Sequence, residues 1–289
     1  MTVKAYAKIN LTLDVLSKRA DGYHDIASVM QTVSLHDTLS FDIENRVDGE
    51  NEIIIKSSDK TVPTDEKNLC HRACSLFFEE FGISGKTVII NIEKNIPVAA
   101  GLGGGSSDCA ETLKALNKML GTNADTETLK KLAVKLGADV PFFIEGGCMK
   151  AEGIGDVLTP VKVSEHFILL AKPTDALLSG AIYKDFDELF EESPELFPKP
   201  TTEDFLAASN RFPFISNMLA PVSEKKASSI TLLKKELSSL GADACEMTGS
   251  GPTVFAVFET EASAKEALEK LKNRIVTSFC GIYKTVNNF

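Results

Sequence analysis

No apolar run in the 289 residues approaches the roughly 20 that a membrane-spanning helix needs, so the chain is not expected to cross a bilayer. Nor is there an excess of cations. Lys and Arg number 31 against 41 Asp and Glu, a net charge of −10, which excludes a general nucleic-acid surface or an anionic-membrane surface. The six cysteines (70, 74, 109, 148, 245 and 280) lack the dense regular spacing of a disulfide scaffold, and no leader-like segment precedes the first strand pattern. The expectation is reduced thiols in a cytoplasmic protein. Cys70, His71 and Cys74 have no second Cys/His pair at ligand spacing, so they are expected on a helix and not around a metal. The sequence Gly-x-x-x-x-Gly-Lys-Ser/Thr is absent as well, so any phosphate site must use a different cradle. What is present is 43% hydrophobic content and a length that favours about two domains.

The chain is organised around Pro97-Val98-Ala99-Ala100-Gly101-Leu102-Gly103-Gly104-Gly105-Ser106-Ser107-Asp108, between a strand pattern at Thr87–Lys94 and a helix pattern at Cys109–Leu120. Glycines let the backbone bend tightly around an anion, and a helix start adds unpaired N–H donors and the positive end of a dipole. Pro97, Ala100, Gly101, Leu102, Gly103, Gly104, Gly105, Ser106 and Ser107 are therefore candidate phosphate contacts.

Other segments carry chemistry. From Val3 to Val15 apolar and polar residues alternate as in a half-buried strand, which puts Lys8 and Asn10 on one face about 7 Å apart. The Arg19–His24 segment holds an Asp-Gly turn followed by Tyr23 and His24, rings that either pack locally or stack on a flat base. In Ala138-Asp139-Val140-Pro141, Asp139 is either the N-cap of a short helix or an alcohol-activating base beside an apolar wall. A second glycine turn, Met247 to Thr253, is a plain hairpin or closes over a phosphate or the reacting sugar.

Further helices are expected at Asn68–Phe81, Thr126–Leu136, Glu224–Leu240 and Ala262–Arg274. Strands are expected at Val29–Ile43, Glu52–Lys56, His166–Lys172, Ala244–Met247, Thr253–Phe258 and Ile282–Val286. The acidic, Phe-spotted stretch Asp185–Pro200 is expected as a solvated surface segment. A domain boundary is placed at Pro160, giving residues 1–160 and 161–289, and the order αββαβ near the end suits an α+β layer.

The Lys8-Ile9-Asn10 strand, the Pro97–Ser107 loop, the Gly137-Ala138-Asp139 turn and the Thr248-Gly249-Ser250-Gly251 turn together resemble the GHMP kinases over nearly the full length. The triple glycine, Arg72-Ala73 after Asn68-Leu69, and above all Asp21-Gly22-Tyr23-His24 bring the chain nearest to the branch acting on a cytidine diphosphate-linked sugar alcohol. Cys109 and His71 depart from that pattern, and so does the lack of acidic residues after Asn217. The resemblance implies an α+β, two-domain GHMP kinase fold. Its N-terminal ATP-binding and catalytic domain would be like domain 2 of ribosomal protein S5, and its C-terminal domain, completing the substrate cleft, would be ferredoxin-like. It further implies a cytoplasmic enzyme, monomer or homodimer, that uses ATP and Mg2+ to phosphorylate the tertiary 2-hydroxyl of a methylerythritol moiety. Lys8 and Asp139 would be catalytic, and the loop with Asn68 would bind ATP, with Ser106 or Ser107 near the metal. Asn10, Ser179, Gly249 and Ser250 would meet the acceptor, and Tyr23 and His24 its base, with Tyr183 on the base's other face. Kinases of other small alcohols, such as homoserine or mevalonate, are the alternative, as are a silent nucleotide-binding protein and a decarboxylase on the same fold.

Overall fold

The computed structural model describes residues 1–208 and 214–287. Two long strands, β1 (Thr2–Lys18) and β2 (His24–Asn45), run through both compact units of the chain. One unit comprises residues 1–7, 35–98 and 103–145, the other 8–34, 99–102 and 146–289.

In the first unit, β3 (Glu52–Ser57) lies parallel to β4 (Lys86–Glu93), and β4 runs antiparallel to Thr38–Asn45 of β2. Against one another pack α1 (Leu69–Phe81), α2 (Gly104–Leu120), α3 (Thr126–Leu136) and α4 (Val140–Glu145). Their apolar residues recur at helical spacing, and Cys70, Ala73, Cys74 and Phe77 of α1 bury with Cys109, Leu113 and Leu116 of α2. Cys70, Cys74 and Cys109 are thus core thiols, and burial raises all three above the ordinary thiol range. Gly82 ends α1 at φ 60, a conformation that a side chain there would resist.

The second unit contains β5 (Cys148–Glu152), paired with Ser28–Gln31 of β2 and with β6 (Val157–Pro160). It continues through β7 (Phe167–Lys172), α5 (Ser179–Glu192), α6 (Thr202–Ala207), β8 (Ser216–Asn217), α7 (Ala220–Lys226) and α8 (Ser228–Ser239). It closes with β9 (Ala244–Met247), β10 (Val254–Phe258), α9 (Glu261–Lys272) and β11 (Phe279–Lys284). The order β11-β7-β10-β9 is antiparallel throughout, and α8 and α9 pack on this sheet and on each other. That is the α+β layer expected for the C-terminal part.

Four expectations change. From Lys8 onward the polar face of β1 is not solvated: Lys4 is exposed, whereas Lys8, Asn10, Thr12 and Asp14 are 3%, 2%, 0% and 1% exposed. Burial is tolerable there because each group is bonded; the Asp14 carboxylate, for instance, accepts the Thr201 and Thr202 N–H groups at 2.8–3.1 Å. The Asp185–Pro200 stretch keeps Glu188, Glu191, Glu192 and Glu195 exposed, but it is not only a connection between helices. Its first half belongs to α5, which buries Ile182 and Phe186, and the rings of Phe186, Phe190 and Phe197 meet at 5.1–5.3 Å. The pattern over Glu224–Leu240 divides into α7 and α8 at buried Ala227 (φ −136, ψ 88), with Glu224 accepting from Thr231 and Lys234 across the break. The closing strand begins at Phe279 and pairs antiparallel with β7, three residues ahead of the expected start.

Candidate active site

Within the second unit the structure draws several candidates together. Lys8 Nζ donates to Asn10 Oδ1 at 2.7 Å, while Asn10 Nδ2 donates to Ser28 Oγ at 2.8 Å. The amide of Asn10 is thereby oriented, with its oxygen toward the ammonium. The Lys8 N–H donates to Leu102 O at 3.0 Å, which ties β1 to the glycine loop. The buried Thr248 hydroxyl accepts the Asn10 N–H at 3.0 Å and donates to Gly101 O at 3.3 Å. A Cβ on Gly249 would lie 3.1 Å from Gly101 O and 3.5 Å from Lys8 Nζ, so the second glycine turn sits against both. Lys8, Asn10, Gly101, Leu102 and Gly249 thus converge. Ser250 shares a hydrogen bond of 2.7 Å with Ser179, through their hydroxyls.

Two residues here were not expected from the sequence. Asn217 donates to Met247 O and Gly249 O at 2.8 Å each and accepts the Leu219 N–H, so it holds the base of the turn. Thr248 is the other: it opens the turn that carries the family resemblance, but nothing local marks its hydroxyl as the tie between Asn10 and Gly101. Thr248→Val keeps the shape but leaves the Asn10 N–H and Gly101 O without their partner. It is expected to cost about 1–3 kcal/mol of stability in urea unfolding and to lower kcat/KM by about tenfold, with Thr248→Ser recovering most of both.

The aromatic candidates lie differently from expectation. Tyr23 is 54% exposed, whereas His24 is buried. The His24 ring stacks on Tyr183 with centroids 5.1 Å apart and 28° between planes. No gap for a flat base exists between those two rings, so Tyr183 does not lie across a base from His24 in this structure. His24 Nε2 donates to Asp187 Oδ1 at 2.6 Å, and Lys18 pairs with the same carboxylate at 2.7 Å. Burial alone would raise the Asp187 carboxyl; the bonds from Lys18 and His24 outweigh it and hold it below the usual carboxylate range.

In the first unit, α2 starts inside the glycine run, five residues earlier than the apolar spacing indicates. Gly103 is its N-cap at φ 71 with no side-chain cap, and the first intrahelical bond is Ser107 N–H to Gly103 O at 2.9 Å. The N–H groups of Gly104, Gly105 and Ser106 therefore precede the hydrogen-bond ladder, available to an anion. Ser107 is 1% exposed and Ser106 half-buried. Asn68 caps α1: Oδ1 accepts the Cys70 N–H and Nδ2 donates to Pro63 O, so both ends of its amide are used locally. Asp139 is half-buried and directly precedes α4, while Pro97 leads into the loop and is half-buried. Beneath the helix start, burial pushes the Asp108 carboxyl up to about 7 against the pull of Lys94, with Asp37 adding to the rise.

Among the described residues no group of three or more His, Cys, Asp or Glu is placed to hold a metal. The oxygen donors at the helix start are serine hydroxyls, which suit a hard cation carried largely by phosphate and water. The described residues also contain no helix long and apolar enough to cross a membrane.

Comparison with known proteins shows the family. Residues 68–147 match the GHMP kinases N terminal domain and residues 195–276 the GHMP kinases C terminal domain. The 4-diphosphocytidyl-2-C-methyl-D-erythritol kinase of Clostridium beijerinckii is 40% identical over 279 residues, covering 95% of this chain and 96% of the relative. A crystal structure of a 4-(cytidine 5'-diphospho)-2C-methyl-D-erythritol kinase superposes with a TM-score of 0.79 at 30% identity, over 98% of this chain and 99% of that one. Homoserine kinase from Cytophaga hutchinsonii, at 17% identity and a TM-score of 0.72 over 99% of this chain and 95% of that one, shares the fold.

Proposed function

The chain belongs to the GHMP kinases, in the branch of the 4-diphosphocytidyl-2-C-methyl-D-erythritol kinases, and from that premise we propose the reaction and the division of labour among its residues. It transfers the γ-phosphoryl group of ATP to the 2-hydroxyl of 4-diphosphocytidyl-2-C-methyl-D-erythritol, giving the 2-phosphate, in non-mevalonate isoprenoid precursor synthesis. The observation that carries the assignment of residues is the set of hydrogen bonds joining Lys8 and Asn10 to Leu102, Gly101 and Thr248.

Phosphoryl transfer asks the protein for position and charge neutralisation more than for covalent chemistry. Asp139 accepts the proton of the acceptor hydroxyl, and the Lys8 ammonium stabilises the alkoxide that develops there. Orientation of Lys8 by Asn10 limits the positions the ammonium samples. The N–H groups of Gly104, Gly105 and Ser106 bind phosphate oxygens, with Pro97, Ala100 to Gly103, Ser107 and Asn68 forming the rest of the ATP site. Mg2+ entering with ATP would neutralise phosphate charge, and Ser106 and Ser107 are the hydroxyls that would hold it. Asn10, Ser179, Gly249 and Ser250 position the methylerythritol part. The exposed Tyr23 ring stacks on cytosine, and the stacked His24 and Tyr183 rings flank the base from one side. Residues 1–160 form the ATP-binding and catalytic domain and residues 161–289 complete the substrate cleft, in a cytoplasmic enzyme.

A coupled assay of ADP release tests this against rival acceptors. Turnover is expected with the diphosphocytidyl substrate and not with homoserine or mevalonate. No turnover with the first overturns the assignment.

A further inference from the structure

Behind the start of α2 lies a buried charge cluster that the reaction as described does not use. Lys94, just after β4, pairs with Asp37 of β2 and with Asp108 of α2, the latter at 3.0 Å. The three side chains are 5%, 0% and 5% exposed. Asp37 Oδ1 also accepts the N–H groups of Asn95 and Ile96 at 2.6 and 2.8 Å, the two residues that lead into Pro97. Among the described residues Asp108 Oδ1 has no hydrogen-bond partner. A Cβ on Gly104 would fall 2.9 Å from Lys94 Nζ and 3.0 Å from Ile96 Cγ2, so the first residue of α2 rests directly on the cluster.

Two carboxylates and one ammonium in a dry site cost desolvation energy that apolar residues of similar volume would not, so as a source of stability the arrangement is poor. As a clamp it is effective. One ammonium ties the entry of the glycine loop, through Asp37 and the peptide groups it collects, to the exit of the loop, through Asp108. We propose that Asp37, Lys94 and Asp108 are positioning residues that set the spacing of the loop ends and thereby aim the Gly104, Gly105 and Ser106 N–H groups at the phosphates of ATP. The inference rests on assigning that helix start to ATP.

The test compares Lys94→Met and Asp108→Asn with the parent enzyme. ATP dissociation constants come from calorimetry, KM is measured for each substrate, and amide hydrogen exchange is followed at Gly104 to Ser106 without ligand. Expected are an ATP affinity lower by about tenfold or more in Lys94→Met and about fivefold in Asp108→Asn, on the scale at which supporting groups tune a site. An acceptor KM within about twofold of the parent and faster exchange at the three amides should accompany this. Parental ATP affinity in a folded variant, equal losses for both substrates, or parental exchange at those amides would each overturn the proposal. Should Lys94→Met fail to fold, Asp108→Asn, which keeps the shape of the side chain, decides alone. Failure of the ATP assignment would look different, since ATP added to the parent enzyme would then leave exchange at Gly104 to Ser106 unchanged.

Discussion

Asp139→Asn is expected to bind ATP as the parent does while turnover falls by at least about a hundredfold, the lower range for loss of a positioned proton acceptor. The substitution conserves shape and one oxygen, so the start of α4, which Asp139 directly precedes, should be preserved. What is removed is the second carboxylate oxygen and its basicity. Since ATP is assigned to the glycine loop and the N-terminus of α2, its dissociation constant should not move, whereas kcat should. The effect therefore separates chemistry from binding, which a general loss of structure would not do. Single-turnover rates at saturating ATP and acceptor, with calorimetric ATP binding alongside, make the measurement. Near-parental turnover would remove Asp139 from the mechanism.

Gly101→Ala should be comparably damaging for a different reason. Gly101 holds φ +75, where an alanine costs roughly 1–2 kcal/mol, and its Cβ would lie 2.3 Å from Thr248 O and 3.2 Å from both Gly251 N and O. These are backbone atoms of a turn fixed by Asn217, so no flexible side chain can swing away. The loop or the turn must move. Either displacement strains the Leu102 O bond from the Lys8 N–H and the Gly101 O bond from Thr248, which together set Lys8 against the loop. A shift of about 1 Å at such a site costs on the order of a hundredfold in rate, so kcat/KM is expected to fall by about that factor. Circular dichroism should still report a folded chain, because the clash is confined to one crossing. Activity within about threefold of the parent would show that the crossing tolerates a side chain.

Much of the architecture is local and was legible. Alternation marked β1, apolar residues at helical spacing marked α1 and α3, and Gly82 and Gly121 marked the ends of α1 and α2, because strand and helix periods and left-handed caps are set by neighbouring residues. Where the pattern was silent or misled, longer-range forces ruled. Glycines have poor helix propensity, so the first turn of α2 was hidden in a run that reads as loop. Ala227 is a strong helix former, and its extended conformation between α7 and α8 follows from packing alone. Asp185 and Asp187 looked like solvated charge, yet Asp185 pairs with Lys226 and Asp187 with Lys18 and His24.

By itself the sequence determined the reaction class and displayed the groups proposed to carry it: a glycine-rich helix start, a strand lysine, a carboxylate before a short helix, and two rings after an Asp-Gly turn. Tertiary structure alone decided what each part rests on. Thr248 and Asn217 act across 238 and 30 residues of chain, and Asp37 meets Lys94 across 57. Hydrogen bonds and ion pairs at such separations leave no periodic trace, because they depend on where the backbone returns in space and not on which residues are adjacent. For the same reason the polar face of β1 is buried and bonded from Lys8 to Asp14, although its alternation reads as a half-buried strand.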